Sequence, residues 1–186
     1  IWKRILGATA RMKRVLVTGY TGFVGSRFLE LVGKEYDIIC AGRSNSDVFM
    51  DLTDSNSIIA AISSSQPDVV INFAAIAPVD ECEKEAGNLL GRVYKTNVLG
   101  PKYLARACMQ NGCRMMQIST DFVFSGTKEN APYEESDSPD PINWYGKTKY
   151  SAELEVAKEL PAACIARVKH PFAASFARKK DLIRPI

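Results

Sequence analysis

The sequence predicts an α/β domain in which a parallel sheet is wound by helices on both of its faces. Short apolar runs rich in β-branched residues alternate with longer segments whose apolar residues recur at helical spacing. The runs are nearly continuous, as in strands that are buried on both faces. A glycine-rich turn separates the first run from the first helical segment. These observations are typical of a Rossmann-like, doubly wound sheet.

The first half of the chain supplies two strands and two helices. Residues 14–18 form a β-branched run that a glycine turn ends, and residues 23–32 then have helical spacing. Residues 36–41 read as a short apolar strand closed by a glycine. Residues 57–64 read as a helix with two aspartates near its start, where carboxylates favour helix initiation.

The second half repeats the pattern. An apolar run after Pro67 predicts a buried strand, and the helical segment that follows is broken near two glycines and stops at Asn111-Gly112. A polar, proline-rich loop of the kind that carries function precedes the last helix, whose Lys and Glu residues we expect on its outer face. The predicted strands are 69–73, 113–119 and 162–168, the helices 81–110 and 143–160, and the loop 125–143.

Composition excludes several classes of function. The 186 residues carry 24 basic and 21 acidic side chains, and the basic excess lies at the two ends, because residues 15–176 have a net charge of −5. A basic nucleic-acid-binding face is therefore not expected. The longest apolar stretch, 69–79, is too short and too interrupted to span a membrane. A single histidine and five cysteines without a Cys-x-x-Cys pair predict no metal site, reduced thiols and a cytoplasmic protein.

The first glycine turn has the pattern of a phosphate cradle. A G-x-x-G-x-x-G string lies between a predicted strand and a predicted helix, where glycines let the backbone approach a pyrophosphate and the helix N-terminus attracts its charge. We therefore expect a dinucleotide there. The candidate residues are Gly19, Thr21, Gly22, Phe23, Val24 and Gly25.

The residues after the second strand indicate which dinucleotide binds. An acidic residue there would hold the 2′-hydroxyl of NAD, whereas a guanidinium would pair with the 2′-phosphate of NADP. The strand is followed by Arg43 and Ser44 and no acid, which favours NADP(H), with NAD(H) as the alternative. Asp51 and Leu52 either reach the adenine or serve the next helix as its cap.

A catalytic constellation follows from spacing. Tyr145 and Lys149 are one helical turn apart and share a face, so the lysine charge can lower the pKa of the phenol and hold the nucleotide ribose. Thr120 ends a predicted strand, at the sheet edge where ligands bind. The three groups suit proton donation to a carbonyl oxygen.

Longer strings then resemble a known family. The glycine turn, Asn72-Phe73-Ala74-Ala75, Ser119 to Gly126 and Tyr145-Gly146-Lys147-Thr148-Lys149 together resemble the extended short-chain dehydrogenase/reductases, most closely the dTDP-4-dehydrorhamnose reductase branch. The resemblance covers about residues 13–167. It implies an NADPH-dependent oxidoreductase that reduces the 4-keto group of a nucleotide-linked deoxy sugar.

The resemblance also implies residue roles. Tyr145 would donate the proton, Lys149 would modulate it and contact the ribose, and Thr120 would complete the set. Cofactor contacts would come from Phe73, Ala74, Ala75 and Asn97, and substrate contacts from Val79, Asp121 and Phe122.

The resemblance divides the chain into three parts. Residues 1–12 would be a basic N-terminal extension, 13–176 an NAD(P)-binding Rossmann domain, and 177–186 the start of a missing or truncated C-terminal substrate-binding region. Position 122 is Phe where the family commonly has Tyr, and Lys169-His170-Pro171 replaces the small hydroxyl and aromatic residues expected beside the nicotinamide. We interpret His170 as structural.

Two alternatives remain open at this point. The regulatory beta subunit of methionine adenosyltransferase resembles the same branch, so the chain could be a non-catalytic NAD(P)-binding subunit. A sugar-nucleotide epimerase or dehydratase of the same fold is the other reading. Apolar segments near 90–110 and 150–160 also allow a homodimer.

Overall fold

The computed structural model describes residues 12–32, 34–129 and 132–169. Residues 1–11 of the expected extension 1–12, residues 170–176 of the expected domain, including His170, and the region 177–186 lie outside these residues. The strands are β1 (Arg14–Thr18), β2 (Asp37–Gly42), β3 (Val48–Phe49), β4 (Val69–Asn72), β5 (Arg114–Thr120) and β6 (Cys164–Val168). The helices are α1 (Phe23–Val32), α2 (Ser55–Ser65), α3 (Val79–Glu83), α4 (Arg92–Tyr94), α5 (Gly100–Asn111) and α6 (Trp144–Glu159).

The strands form one parallel sheet in the order β3-β2-β1-β4-β5-β6. The chain starts in the middle of the sheet, builds outward to β3, returns to β4 beside β1 and builds outward again. This is the strand order of dinucleotide-binding folds, and it places a crevice at the carboxyl ends of β1 and β4. The predicted doubly wound parallel sheet is confirmed.

Alternate residues of the strands face two different apolar layers. Leu16, Val70 and Met115 point into a core shared with α2, α5 and α6. Their neighbours Val17 and Ile71 point to the opposite face, where α1 packs. Helices on both faces explain why β1 and β4 carry consecutive apolar residues, Val15–Val17 and Val69–Ile71.

A row of polar side chains crosses the central strands at the carboxyl ends of β1 and β4. The Thr18 hydroxyl donates to Asn72 Oδ1 at 2.5 Å, and Asn72 Nδ2 donates to Gln117 Oε1 at 2.8 Å. Gln117 Nε2 then donates to the Ile118 carbonyl at 2.8 Å. The first three residues are paired partners on β1, β4 and β5 and are almost fully buried. Buried amides need such partners, so the row satisfies itself.

The structure differs from the sequence reading in the predicted helix 81–110. It contains the short helices α3 and α4 with turns between them, then a π-helical turn, Lys95–Leu99, that leads into α5. Gly112 ends α5 in the left-handed conformation, φ +67°, as its position predicted. The strand β3 has only two residues and was not predicted.

In the part of the chain that the structure describes, no helix has the length and apolar character needed to cross a membrane. All five cysteines lie within it, and all are free thiols.

Candidate functional site

A cleft of about 490 Å³ lies over the carboxyl ends of β1, β2 and β4, and we name it the first cleft. The parallel strands bring their ends together at this edge. The structure brings most of the predicted cofactor residues into its walls. These are Gly19, Thr21, Gly22, Arg43, Ser44, Asp51, Leu52, Phe73, Ala74 and Ala75.

The glycine turn is built for close approach. Gly19 has φ +65°, and a Cβ on it would overlap the backbone of Phe73 and Ala74 at the end of β4. A Cβ on Gly25 would lie 2.5 Å from the Gly19 carbonyl oxygen. The two glycines therefore let α1 begin directly against the turn, with its first N–H groups near the cleft. Phe23 and Val24 start α1 and do not line the cleft.

The loop after β2 forms one wall of the first cleft. Arg43 and Ser44 are exposed there. The Tyr20 hydroxyl lies 3.0 Å from the Ser44 carbonyl and 2.6 Å from the Asn45 carbonyl, and so ties this loop to the glycine turn. A solvent-facing guanidinium on an anchored loop can reach a phosphate without first breaking a buried contact.

Asp51 lies in the cleft wall, and its carboxylate holds a tight turn. Its Oδ1 accepts from the Thr53 amide at 2.9 Å and from the Thr53 hydroxyl at 2.8 Å. The Thr53 amide bond is the main cause that lowers the pKa of Asp51, with smaller contributions from Arg43 and Arg92. The reading of Asp51 as the helix cap is wrong, because Asp54 caps α2 through the Asn56 amide.

Asn97 lies behind the first cleft and does not line it. Its Oδ1 accepts from the Ile76 amide at 2.8 Å, and its Nδ2 donates to the Ile76 carbonyl at 2.9 Å. The same Nδ2 approaches the Thr148 hydroxyl of α6 at 3.3 Å. Asn97 belongs to the π-helical turn, and its contacts join the loop after β4 to α6.

Tyr145 lies between the end of β4 and the end of β5. Its ring packs against the cluster that contains Ile76 and meets the Phe122 ring edge-on at 5.8 Å. Burial raises the pKa of its phenol, and a hydrogen bond with Thr120 opposes that rise. Thr120 is buried at the end of β5, where its hydroxyl also accepts from the Phe122 amide at 3.2 Å.

Lys149 lies one turn after Tyr145 and is only 4% exposed. Its ammonium donates to the Ile118 carbonyl at 2.6 Å. Burial lowers the pKa of Lys149 to about 8, and Glu153 opposes this shift. The expectation that glutamate side chains line the outer face of this helix is wrong for Glu153, which is buried, as Lys149 is.

The pKa of the Tyr145 phenol shifts in the direction opposite to the one expected from the sequence. Spacing alone suggested that the charge of Lys149 lowers the pKa of the phenol, whereas the pKa is raised and burial is the largest cause. A protonated phenol is the form that can donate a proton, so the raised pKa suits an acid at neutral pH.

A second cleft, of about 610 Å³, lies beyond β5 and β6. Asp121 and Phe122 line it, as predicted for substrate contacts, together with Phe124, Tyr133 and Arg167. Val79 begins α3 and lines neither cleft. Tyr145 therefore packs against the cluster that contains Ile76, which lines the first cleft, and against the ring of Phe122, which lines the second.

Sequence reasoning missed residues of the first cleft and a buried residue of α6 near Lys149. Arg92 and Thr96 line the first cleft, and no local pattern marks them, because only the packing of α4 brings them there. Glu153 could have been found, since it follows Lys149 by four residues and shares its helix face. Within residues 12–32, 34–129 and 132–169, no group of three or more His, Cys, Asp or Glu side chains could hold a metal ion.

The strand order, the glycine turn and the helix with Tyr145 and Lys149 define the nucleotide-binding domain of an extended short-chain dehydrogenase/reductase. Residues 12–183 match the family described as the RmlD substrate binding domain. The chain belongs to this family.

Named relatives agree with that assignment. A dTDP-4-dehydrorhamnose reductase from Mycolicibacterium smegmatis is 33% identical over 83% of this chain and 45% of its own length. Methionine adenosyltransferase 2 subunit beta from Danio rerio is 34% identical over 84% of this chain and 47% of its own. The chain thus spans about half the length of these curated relatives.

Among solved structures, dTDP-4-dehydrorhamnose reductase from Bacillus anthracis in complex with NADP superimposes with a TM-score of 0.78 at 31% identity. The match covers 88% of this chain and 55% of that one.

Proposed function

We propose that the first cleft binds NADP(H). The cleft fits a dinucleotide, because a Cβ would fill the cradle at Gly19 and Gly25 and the α1 N-terminus follows directly. Arg43 and Ser44 would hold the 2′-phosphate, and Asp51 and Leu52 would meet the adenine. The NADP complex of the Bacillus anthracis reductase supports this assignment. NAD(H) remains the alternative ligand.

We further propose that the chain contributes the reducing site of a sugar-nucleotide reductase, acting on the 4-keto group of a deoxy sugar. NADPH, when bound, supplies the hydride. Tyr145 would donate its proton to the carbonyl oxygen, and Thr120 would hydrogen-bond the same oxygen. Lys149 would hold the nucleotide ribose, and Asp121 and Phe122 would contact the substrate in the second cleft.

The position of Tyr145 carries this proposal. A half-buried phenol with a raised pKa packs between the cluster that contains Ile76 and the ring of Phe122, and it interacts with the hydroxyl of Thr120. Two reactants bound in adjacent clefts would therefore meet beside it. Their proximity would supply part of the rate enhancement, and the phenol would supply the proton.

NADPH binding tests the cofactor assignment. We expect NADPH to raise the melting temperature of the chain, because a ligand that binds only the folded state stabilises it by about 2.7 kcal/mol at 100 times its Kd. In Arg43→Glu we expect the affinity for NADPH to fall by about 10- to 100-fold, since a charge-assisted contact is worth about 1.5–3 kcal/mol. Affinity for NADH should change less. Isothermal titration calorimetry measures both.

Arg114→Glu is the matched control. Arg114 is exposed at the amino end of β5, on the opposite edge of the sheet. Its substitution by Glu changes the charge by the same amount as Arg43→Glu, but far from the first cleft. It should leave NADPH affinity unchanged. If neither NADPH nor NADH shifts the melting temperature of the unmodified chain, the cofactor proposal is wrong.

A non-catalytic regulatory subunit is the second candidate, and the likeness to methionine adenosyltransferase 2 subunit beta favours it. The presence of Thr120, Tyr145 and Lys149 together supports the reductase instead. NADPH binding with no turnover, together with stoichiometric capture of an enzyme partner, would select the regulatory role. NAD that stays bound through purification would select an epimerase or dehydratase.

The same proposal includes the division of the chain into domains, its cellular location and its oligomeric state. Residues 13–176 would be the cofactor domain, with substrate contacts completed by chain beyond it, in a cytoplasmic homodimer. Sedimentation of the purified chain tests the homodimer.

A further inference from the structure

A carboxylate that accepts three hydrogen bonds lies one helical turn after Lys149. Glu153 is 5% exposed, and it follows Lys149 by one turn of α6. Its Oε1 accepts from the Ser119 hydroxyl at 2.5 Å and from Arg167 Nε at 3.0 Å. Its Oε2 accepts from Arg167 Nη2 at 2.7 Å. The arginine contact is therefore bidentate, which fixes the plane of the carboxylate as well as its position.

Arg167, which pairs with Glu153, also contacts residues that line the second cleft. The Arg167 guanidinium lies over the Phe124 ring, 5.0 Å from its centroid. Its Nη1 donates to the Glu135 carbonyl at 3.3 Å. Arg167, Phe124 and Glu135 all line the second cleft. The chain of contacts thus runs from the wall of the second cleft, through Arg167, to Glu153.

We propose that Glu153 is a positioning residue that keeps the buried Lys149 ammonium in its charged form, and that Ser119 and Arg167 hold the Glu153 carboxylate in place for that task. The importance of this charge for reduction rests on the role proposed for Lys149 above. The electrostatic coupling between the two side chains is a separate property of the folded chain.

The physical need for such a partner is plain. An ammonium removed from water loses hydration, and a lysine buried without an anion tends to become neutral. The Ile118 carbonyl alone offers Lys149 a dipole, whereas Glu153 offers a full negative charge. Because burial lowers the pKa of Lys149 to about 8, the margin that keeps the ammonium protonated at neutral pH is small. Loss of the carboxylate would remove that margin.

Other charged groups around α6 are engaged elsewhere. On the side of α5, Lys102 and Arg106 pair with Glu155 and Glu159 at 2.6 Å each, toward the surface. From the remaining elements, Cys82 of α3 and Asp121 after β5 act on the phenol of Tyr145, and Arg167 of β6 is bound to Glu153. The π-helical turn meets this part of α6 through Asn97 and the Thr148 hydroxyl. Among the described residues, Glu153 is the charged side chain whose field raises the pKa of Lys149.

The test measures the titration of Lys149 directly. In the full chain labelled with [13Cε]-lysine, the Lys149 signal is assigned by its loss in Lys149→Arg, and its chemical shift is followed from pH 6 to 11. In Glu153→Gln we expect the Lys149 midpoint to fall by at least about one pH unit, since an opposite charge at close range shifts a pKa by about 1–3 units. A midpoint that moves by less than about 0.3 unit in a folded Glu153→Gln chain would overturn the proposal.

A second variant has an effect of opposite sign. Arg167→Gln removes a positive charge and leaves Lys149 as the cation nearest to Glu153, so the Lys149 midpoint should rise. This variant keeps the proposal testable if Glu153→Gln does not fold, and an unchanged or lower midpoint would contradict it. Glu159→Gln is the matched control, because it breaks a bidentate Glu–Arg pair on the same helix, at its exposed end. It should leave Lys149 unchanged. None of these readouts requires NADPH binding or turnover, so they stand or fall apart from the proposed function.

Discussion

Replacing Tyr145 with Phe should lower NADPH-dependent turnover of a nucleotide-linked 4-keto sugar by about 10²- to 10⁴-fold, the contribution of a positioned acid. The packing of the ring against the cluster that contains Ile76 and against the Phe122 ring does not require the hydroxyl, so we expect the variant to keep it. The affinity for NADPH and the melting temperature should therefore change little. Single-turnover kinetics at saturating NADPH separates the proton-transfer step from binding.

The same removal of a hydroxyl elsewhere serves as the control. Tyr103→Phe changes a phenol on α5, where the ring packs against the apolar core away from both clefts. Its turnover should equal that of the unmodified chain. Equal turnover in Tyr145→Phe would show that another group donates the proton, and no turnover in the unmodified chain would favour the regulatory role.

Gly146→Ala is expected to damage both stability and activity. Gly146 lies in the first turn of α6, next to Tyr145, and a Cβ there would overlap the Phe122 carbonyl oxygen, which is backbone and cannot rotate away. The helix must then move away from the turn after β5. Overpacking of this kind costs about 1–3 kcal/mol, which lowers the melting temperature by about 2–12 °C for a domain of this size. Because the displacement separates Tyr145 from Thr120, turnover should fall by about 10²-fold.

Gly87→Ala separates the two effects. Gly87 has φ +76° and no atom within 4 Å of a Cβ, so alanine there suffers backbone strain of about 1–2 kcal/mol without a collision. Thermal unfolding should detect a loss of stability in both variants, whereas turnover should fall only in Gly146→Ala. A Gly146→Ala chain with normal turnover would show that this contact does not set the distance between Tyr145 and Thr120.

Local signals in the sequence were sufficient for most of the fold. The helix α1 begins and ends at the predicted residues, Phe23 and Val32, because a glycine turn precedes it and its apolar spacing is regular. The strands are apolar on both faces, and this property alone indicates helices on both sides of a parallel sheet. The strand β3, in contrast, consists of Val48 and Phe49 paired only with Ala41 and Gly42. Two residues have no periodicity to detect.

The π-helical turn shows where local reasoning ends in the fold. Its conformation accompanies the contacts of Asn97 with the backbone of Ile76, which lies 21 residues earlier in the chain. No pattern within residues 95–99 predicts the contact with Ile76. The resemblance to the family pointed to Asn97, but it indicated a cofactor contact, and the structure places the side chain behind the first cleft.

The candidate site was predictable in its residue types and less so in its electrostatics. Spacing placed Tyr145 and Lys149 on one helix face, and the structure has them there. The sign of the net pKa shift at Tyr145 was wrong because it depends on how much water the fold removes from the phenol, which spacing does not report. The buried ion pair between Glu153 and Arg167 joins α6 to the following strand. It could not be predicted from spacing, because it depends on how α6 packs on the sheet.

The polar row through Thr18, Asn72 and Gln117 has a consequence for how the sheet assembles. If β4 slipped by one residue against both neighbours, Asn72 would lose its partners on β1 and β5 and would bury an unsatisfied amide. The apolar residues Val69–Ile71 specify the register less strictly, because a shift of two residues returns each side chain to the same face of the sheet and costs little free energy. The three hydrogen-bonding side chains therefore specify the register of the central strands. A sheet paired in another register would have a higher free energy, and the clefts at its edge depend on the correct pairing.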